Sequence, residues 1–151
     1  MKSSTLLWPL LAAAFLTCTA CAPREEASGG HLARFNTADF QGRWVVINYW
    51  AQWCKPCLEE IPELNVFAEK HPEVAVLGVN FDGAMGEELA RQVAAFKIEF
   101  SLVLEDPAAV LGVPRPQALP TTLILNPQGE IVATLMGPQT LETLRGAVGL
   151  D

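Results

Sequence analysis

Two runs of strand-forming apolar residues, WVVINYW at Trp44–Trp50 and VAVLGVNF at Val74–Phe81, restrict what this chain can fold into more than any other feature. A strand with one wet face alternates apolar with polar; a run that is apolar almost throughout belongs to a strand covered on both faces, as in a parallel sheet. Between the runs Cys54, Cys57, Leu58, Ile61, Leu64 and Ala68 recur at helical spacing, and His71-Pro72 closes the segment. Strand, helix, strand is a βαβ unit, which requires a parallel pair with the helix packed on the sheet.

The same reading extends the sheet. A second amphipathic helix is expected with Leu89, Val93 and Phe96 on one face, followed by a short strand about Ser101–Leu104. TTLIL and EIVATLM flank NPQG, where Pro127 at the second turn position and Gly129 at the fourth suit a type I turn, so these segments form an antiparallel hairpin. A last helix is expected over Gln139–Val148. The sum is an α/β fold, a three-layer α/β/α sandwich around a mixed central sheet.

At 151 residues, half of them hydrophobic, the chain is one domain's worth with enough apolar surface for a core of its own. The net charge of −7, with only 10 dispersed Lys and Arg, argues against nucleic-acid binding, which needs clustered cations. The first residues stand apart from the fold. MKSSTLLWPLLAAAFLTCTAC has Lys2, an apolar run from Leu6 to Leu16 and small residues before Cys21, the layout of a bacterial export signal. That apolar run is shorter than the about 20 residues of a membrane-spanning helix. The expected organisation is therefore a signal over 1–21, a polar tether over 22–33 opening APREEASGG, and a domain over 34–151. Outside the cytoplasm a dithiol faces oxidising conditions and must be kept oxidised or re-reduced to be useful.

Cys54 and Cys57 enclose Lys55 and Pro56 at the junction of the first strand and the first helix. A cysteine in a first helical turn meets unpaired backbone N–H groups and the positive end of the helix dipole, which stabilise its thiolate and make it nucleophilic. Cys57, three residues on, lies on the same face and can attack a mixed disulfide formed at Cys54. Pro56 is tolerated so early in a helix because its missing N–H would have had no partner. The rival readings are weaker. A tetrahedral zinc site wants four ligands, and the other C-x-x-C pair, Cys18 and Cys21, lies in the export signal; His31 and His71 fit a solvated residue or a helix cap. A purely structural disulfide closing so small a loop would stabilise little. No metal and no cofactor is expected.

Trp53-Cys54-Lys55-Pro56-Cys57 preceded by NYWAQ, Glu60-Ile61-Pro62 behind it, VLGVNFD at Val76–Asp82, and Leu119-Pro120-Thr121-Thr122 before LILNPQGEIV resemble the TlpA/ResA-like branch of the thioredoxin superfamily from about Asn36 onward. The resemblance implies a thioredoxin-like fold and thiol-disulfide oxidoreductase activity. It implies a cis Leu119–Pro120 bond beside the dithiol, with Leu119 backbone groups presented to a substrate segment in the manner of an added strand. It also implies that Glu60 is the acidic residue this branch carries after its dithiol, a partly buried carboxylate able to relay a proton to or from Cys57, whereas Glu59 faces solvent. Cys54, Cys57, Glu60 and Pro120 are thus the expected catalytic set, and Trp53, Lys55, Pro56, Leu119 and Thr121 the docking surface; Trp50 belongs to the core. Thr19-Ala20-Cys21 resembles the end of a lipoprotein signal, which implies lipidation at Cys21, and Ala22 after it favours the outer membrane.

Three functions are compatible with these residues. The first is a periplasmic thiol-disulfide oxidoreductase, a lipid-anchored monomer reducing exported proteins, with apocytochrome c among the possible clients, and recharged by a membrane electron donor. Thr121 after the proline, where dedicated cytochrome-maturation members carry an acid, favours a different client. The second is a thiol peroxidase, which wants Thr or Ser three residues before its reactive cysteine, where this chain has Ala51. The third is a lipid-anchored binding module, a chaperone or Cu(I) carrier using two soft thiolates as ligands.

Overall fold

A computed structural model of the chain describes residues 32–150. The export signal, Cys21, His31 and the tether up to residue 31 lie outside the described residues. Six strands, β1 (Leu32–Ala33), β2 (Val45–Trp50), β3 (Ala75–Asn80), β4 (Ser101–Val103), β5 (Thr121–Leu125) and β6 (Ile131–Met136), form one sheet in the order β1-β4-β3-β2-β5-β6. β2 pairs in parallel with β3 and β3 with β4, while β5 runs antiparallel to both β2 and β6. The sheet is mixed, as expected, and among the described residues three α-helices accompany it: α1 (Lys55–Lys70), α2 (Gly86–Phe96) and α3 (Leu141–Ala147). Among the described residues no helix is long and apolar enough to cross a membrane.

β2 and β3 are buried at every position, which explains their unbroken apolar runs. Alternate residues serve two cores. Val46, Trp50, Val76, Leu102 and Ile124 meet Cys57, Ile61, Leu64 and Phe67 of α1, Leu89 of α2 and Leu144 of α3 on one face. Val45, Ile47, Tyr49, Leu77, Val79, Val103 and Leu123 line the other. All three α-helices pack on the first face. The second is closed by Phe35 and Phe40, stacked at 5.6 Å around the 3-10 turn Thr37–Phe40, and by Leu111 and Leu119 of the β4–β5 connection. Pro107, Pro114 and Pro116, with Gly112 among them, keep that connection from forming an α-helix, so the third layer consists of turns.

Two smaller differences from the sequence reading concern the sheet margin and the hairpin. Leu32 and Ala33, placed in the tether on sequence, pair with Leu102 and Val103 of β4; two residues carry no readable period. The hairpin turn forms over Asn126–Gly129, the Gly129 N–H donating to the Asn126 carbonyl at 2.8 Å, with Gly129 at φ +82°. The Asn126 side chain accepts from the N–H groups of Gln128 and Glu130, and the extra residue this costs appears as a register shift at Ile124/Leu125.

Gly78 of β3 marks the tightest approach in the sheet. A Cβ there would lie 2.6 Å from Leu102 Cδ2, 2.9 Å from Phe100 Cε2 and 3.2 Å from Trp50 Nε1. Gly78→Ala is therefore expected to destabilise the protein by about 2 kcal/mol, the usual cost of overpacking a filled core, read as a lower midpoint in urea unfolding.

Candidate functional site

α1 begins where β2 ends. The chain leaves Trp50, turns through an Ala51 carbonyl that accepts from the Cys54 N–H at 3.0 Å, and enters the helix with Cys54 as its N-cap. Cys54 Sγ accepts from the Cys57 N–H at 3.3 Å, so the cysteine itself supplies the cap that Ser or Asp usually provides. Cys54 thus sits one residue ahead of the helix, with the dipole's positive end directed at its sulfur. Cys54 and Cys57 are joined as a disulfide, with 5.3 Å between their Cα atoms, and both are buried. Lys55 is exposed and Pro56 half-buried, in the first helical turn.

The antiparallel register of β2 and β5 sets Thr121 opposite Tyr49, so Pro120 lies at the same end of the sheet as the start of α1. The Leu119–Pro120 bond is cis. Pro120 is buried and its carbonyl accepts from the Gly137 N–H at 2.9 Å, while the Thr121 hydroxyl donates to the Ala118 carbonyl at 2.8 Å. No backbone partner engages the N–H or C=O of Leu119 among the described residues.

Beneath the dithiol lies a polar cluster within the first core. Glu60, i+3 from Cys57 on the buried face of α1, is 1% exposed, whereas Glu59 faces solvent. Its Oε1 accepts from Asn48 Nδ2 at 2.7 Å and its Oε2 from the backbone N–H of Gln139 at 3.0 Å. Asn48 Nδ2 also donates to the Thr122 hydroxyl at 3.0 Å, and Asn48 Oδ1 is buried without a partner. Burial pushes the Glu60 carboxyl up to about 7, against the opposing pull of the two donors. Asn48, Thr122 and Gln139 were not anticipated. The readable signal was a single amide inside the otherwise apolar WVVINYW; Gln139 is 79 residues from Glu60 and left no local mark.

A second group of residues gathers about Trp53, the residue that precedes Cys54. Trp53 is 65% exposed and is held by its indole N–H, which donates to Asp82 Oδ2 at 3.0 Å, and by an edge-on contact with Phe81. Arg115 stacks its guanidinium on the other partner, 3.9 Å from the Phe81 ring centre, donates to the Phe81 carbonyl, and pairs with Asp106 at 2.7 Å. The Tyr49 hydroxyl donates to Asp106 at 2.8 Å, and burial with that carboxylate raises its pKa well beyond the usual phenol range. Trp50, by contrast, is fully buried against Phe96. Among the described residues no group of three or more Cys, His, Asp or Glu side chains is placed to hold a metal ion.

The sequence profile of the AhpC/TSA family matches residues 19–134. The thiol-disulfide oxidoreductase ResA of Bacillus cereus is 29% identical over 109 residues, covering 72% of this chain and 63% of the relative. The thioredoxin-like protein YneN of Bacillus subtilis is 32% identical over 117 residues, covering 75% of this chain and 68% of the relative. Among solved structures, a secreted thiol-disulfide isomerase of Corynebacterium glutamicum superposes with a TM-score of 0.63 at 28% identity, over 77% of this chain and 75% of that one. The chain thus spans less than two thirds of the ResA relative's length. The fold is thioredoxin-like.

Proposed function

The chain belongs to the AhpC/TSA family, and we propose that within it this protein is an extracytoplasmic thiol-disulfide oxidoreductase that reduces disulfides of exported proteins. The observation that carries the reading is the Cys54–Cys57 disulfide at the N-cap of α1, one helical turn from the buried Glu60. The reduced form supplies the electrons. Cys54 thiolate attacks a client disulfide, forming a mixed disulfide and expelling one client thiolate, which takes up a proton. Cys57 loses its proton to Glu60 and attacks Cys54 sulfur, expelling the second client thiolate and closing the Cys54–Cys57 bond. One client disulfide becomes two thiols and one enzyme dithiol becomes a disulfide, so electrons balance.

Each further residue has a part in this scheme. Pro120 closes one side of the dithiol, and the free backbone groups of Leu119 receive an extended client segment next to Thr121. Trp53, Lys55 and Pro56 present the docking surface around Cys54, with Lys55 favouring its thiolate. A thiol peroxidase is disfavoured because Ala51 stands where a hydroxyl residue is wanted. The export signal over residues 1–21, with lipidation at Cys21, would tether the domain at a membrane, the outer one by the Ala22 criterion. A membrane donor would return the disulfide to the dithiol, and apocytochrome c is one client of suitable chemistry.

The test is to equilibrate the couple with dithiothreitol and glutathione buffers and trap the thiols. A potential near the thioredoxin end, about −270 mV, is the expected result for a reductase. One near about −120 mV would make the protein a disulfide donor, and a pair that does not exchange would remove the activity altogether.

A further inference from the structure

The Glu60 cage is built from neutral groups alone. Its partners are an amide from β2, a backbone N–H from the entry to α3 and, through the amide, a hydroxyl from β5. The titratable groups on the buried side of α1 are Cys54, Cys57 and, one turn beyond, Glu63, whose carboxylate accepts from the Leu141 N–H at 2.8 Å. β5 brings only Thr121 and Thr122, the approach to α3 brings only Gln139 and Thr140, and Tyr49 of β2 belongs to the opposite face. Among the described residues no cation is hydrogen-bonded to Glu60, so none there locks it in the ionised form.

The two carboxyl oxygens are not equivalent. Oε2 meets a backbone N–H, which can only donate, so that oxygen remains an acceptor in either protonation state. An acid proton on Oε2 would meet no acceptor among the groups that bond Glu60, whereas on Oε1 it would face the Asn48 amide, whose NH2 as now placed would have to give way. An amide can reverse donor and acceptor by a half-turn about its last bond, and a hydroxyl can donate as readily as accept. After that half-turn Asn48 Oδ1 would accept from the protonated Oε1 and from the Thr122 hydroxyl, leaving the NH2 where the unpartnered Oδ1 now lies. The first state leaves the amide oxygen unpartnered and the second leaves the NH2 group unpartnered, both at the same place.

We propose that Asn48 is the positioning residue for the Glu60 proton: its amide donates to the carboxylate and, turned over, accepts from the carboxylic acid, so that one cage serves both forms. This rests on the assignment of Glu60 as proton acceptor for Cys57. The role of Asn48 is to let that proton come and go without moving α1.

The experiment is a carboxyl 13C NMR titration of Glu60 in the full chain, alongside the pH profile of thiol alkylation in the reduced protein. In Asn48→Leu the Glu60 midpoint should rise by about one pH unit, the difference between losing a hydrogen bond to the charged form and losing one to the acid, and the alkylation profile should move with it. In Asn48→Asp two neighbouring carboxyls should titrate in two coupled steps. Should either variant not fold, the wild type decides: nuclear Overhauser contacts from the Asn48 NH2 to Thr122 must weaken as Glu60 gains its proton, with the same midpoint. An unmoved midpoint in folded Asn48→Leu, or one amide orientation across the titration, overturns the proposal. Exchange of a small aromatic disulfide by the wild type separates the two assignments. If exchange is absent while the midpoints move, the positioning role stands and the oxidoreductase reading falls; if exchange is normal while they stay, the reverse holds.

Discussion

Cys57→Ser is expected to accumulate client proteins as mixed disulfides on Cys54 and to turn over at most about a thousandth as fast as the wild type. Effective concentration sets the size of this loss. Cys57 follows Cys54 by three residues, with 5.3 Å between their Cα atoms, so its attack on a mixed disulfide is intramolecular. Well-placed intramolecular groups act at effective concentrations of about 10⁵ M or more, against millimolar external thiols, which leaves roughly 10³-fold as a conservative loss even after poor alignment is allowed for. Cys54→Ser should capture nothing, because the buried Cys57 is 0% exposed and has no access to a client. Non-reducing gels of the two variants after incubation with an oxidised protein substrate read both outcomes. Capture by Cys54→Ser in place of Cys57→Ser would invert the assignment of attacking and resolving sulfur. Capture by neither would argue against exchange chemistry.

The parts of this molecule that were legible in the sequence are those with a local period or local chemistry. β2, α1 and β3 could be read because burial on both faces suppresses alternation in the strands while the helix retains its 3.6-residue stripe. The hairpin was announced by NPQG. The cysteine pair carried its own meaning, since a helix start lowers a thiol pKa irrespective of the rest of the fold. What escaped was assembled across the chain. Asn48 gains its significance from Glu60 and Thr122, the latter 74 residues away, and Arg115 gains its place from Phe81 and Asp106. The proline-rich 105–119 stretch carries no helical or strand period, yet it closes one face of the sheet and supplies one side of the wall behind Trp53. The cis bond was reached through resemblance, because an isolated proline is trans far more often.

These two polar groups on opposite faces of β2 also divide the labour of the site. Tyr49 points to one face and fastens Asp106, and with it Arg115 and Phe81, so the cluster that holds Trp53 is tied to the strand that delivers Cys54. Asn48, one residue earlier, points to the other face and holds the carboxyl beneath Cys57. Adjacent residues of one strand therefore fasten the two groups, which in the proposed mechanism are the client-facing and the proton-handling sides of the dithiol, and this follows directly from the two-residue period of a strand.

Glu60→Gln should abolish the pH dependence of stability that Glu60 imposes. With its folded pKa raised to about 7, the carboxyl holds a proton in the folded protein at pH values where the unfolded chain, near an ordinary carboxylate value, has already lost it. The folded state then binds more protons than the unfolded one, so stability falls as pH rises through this window. Below the unfolded value the contribution is fully present, and above about 7 it is gone, because a buried carboxylate must then be carried with only two neutral donors for support. The difference across the window is roughly 3 kcal/mol, from about 1.4 kcal/mol per pH unit. Glutamine does not ionise. Its NH2 group would face either the Asn48 amide or the Gln139 N–H, a mismatch that Asn48 can relieve by turning over, and whatever cost remains is the same at every pH. Urea unfolding of the oxidised proteins at pH 4.5, 6 and 8 should therefore show the variant gaining on the wild type by about 3 kcal/mol from the lowest to the highest pH. Parallel curves would mean that Glu60 ionises at an ordinary pH despite its burial, and a carboxylate of ordinary basicity would be a poor acceptor for the Cys57 proton.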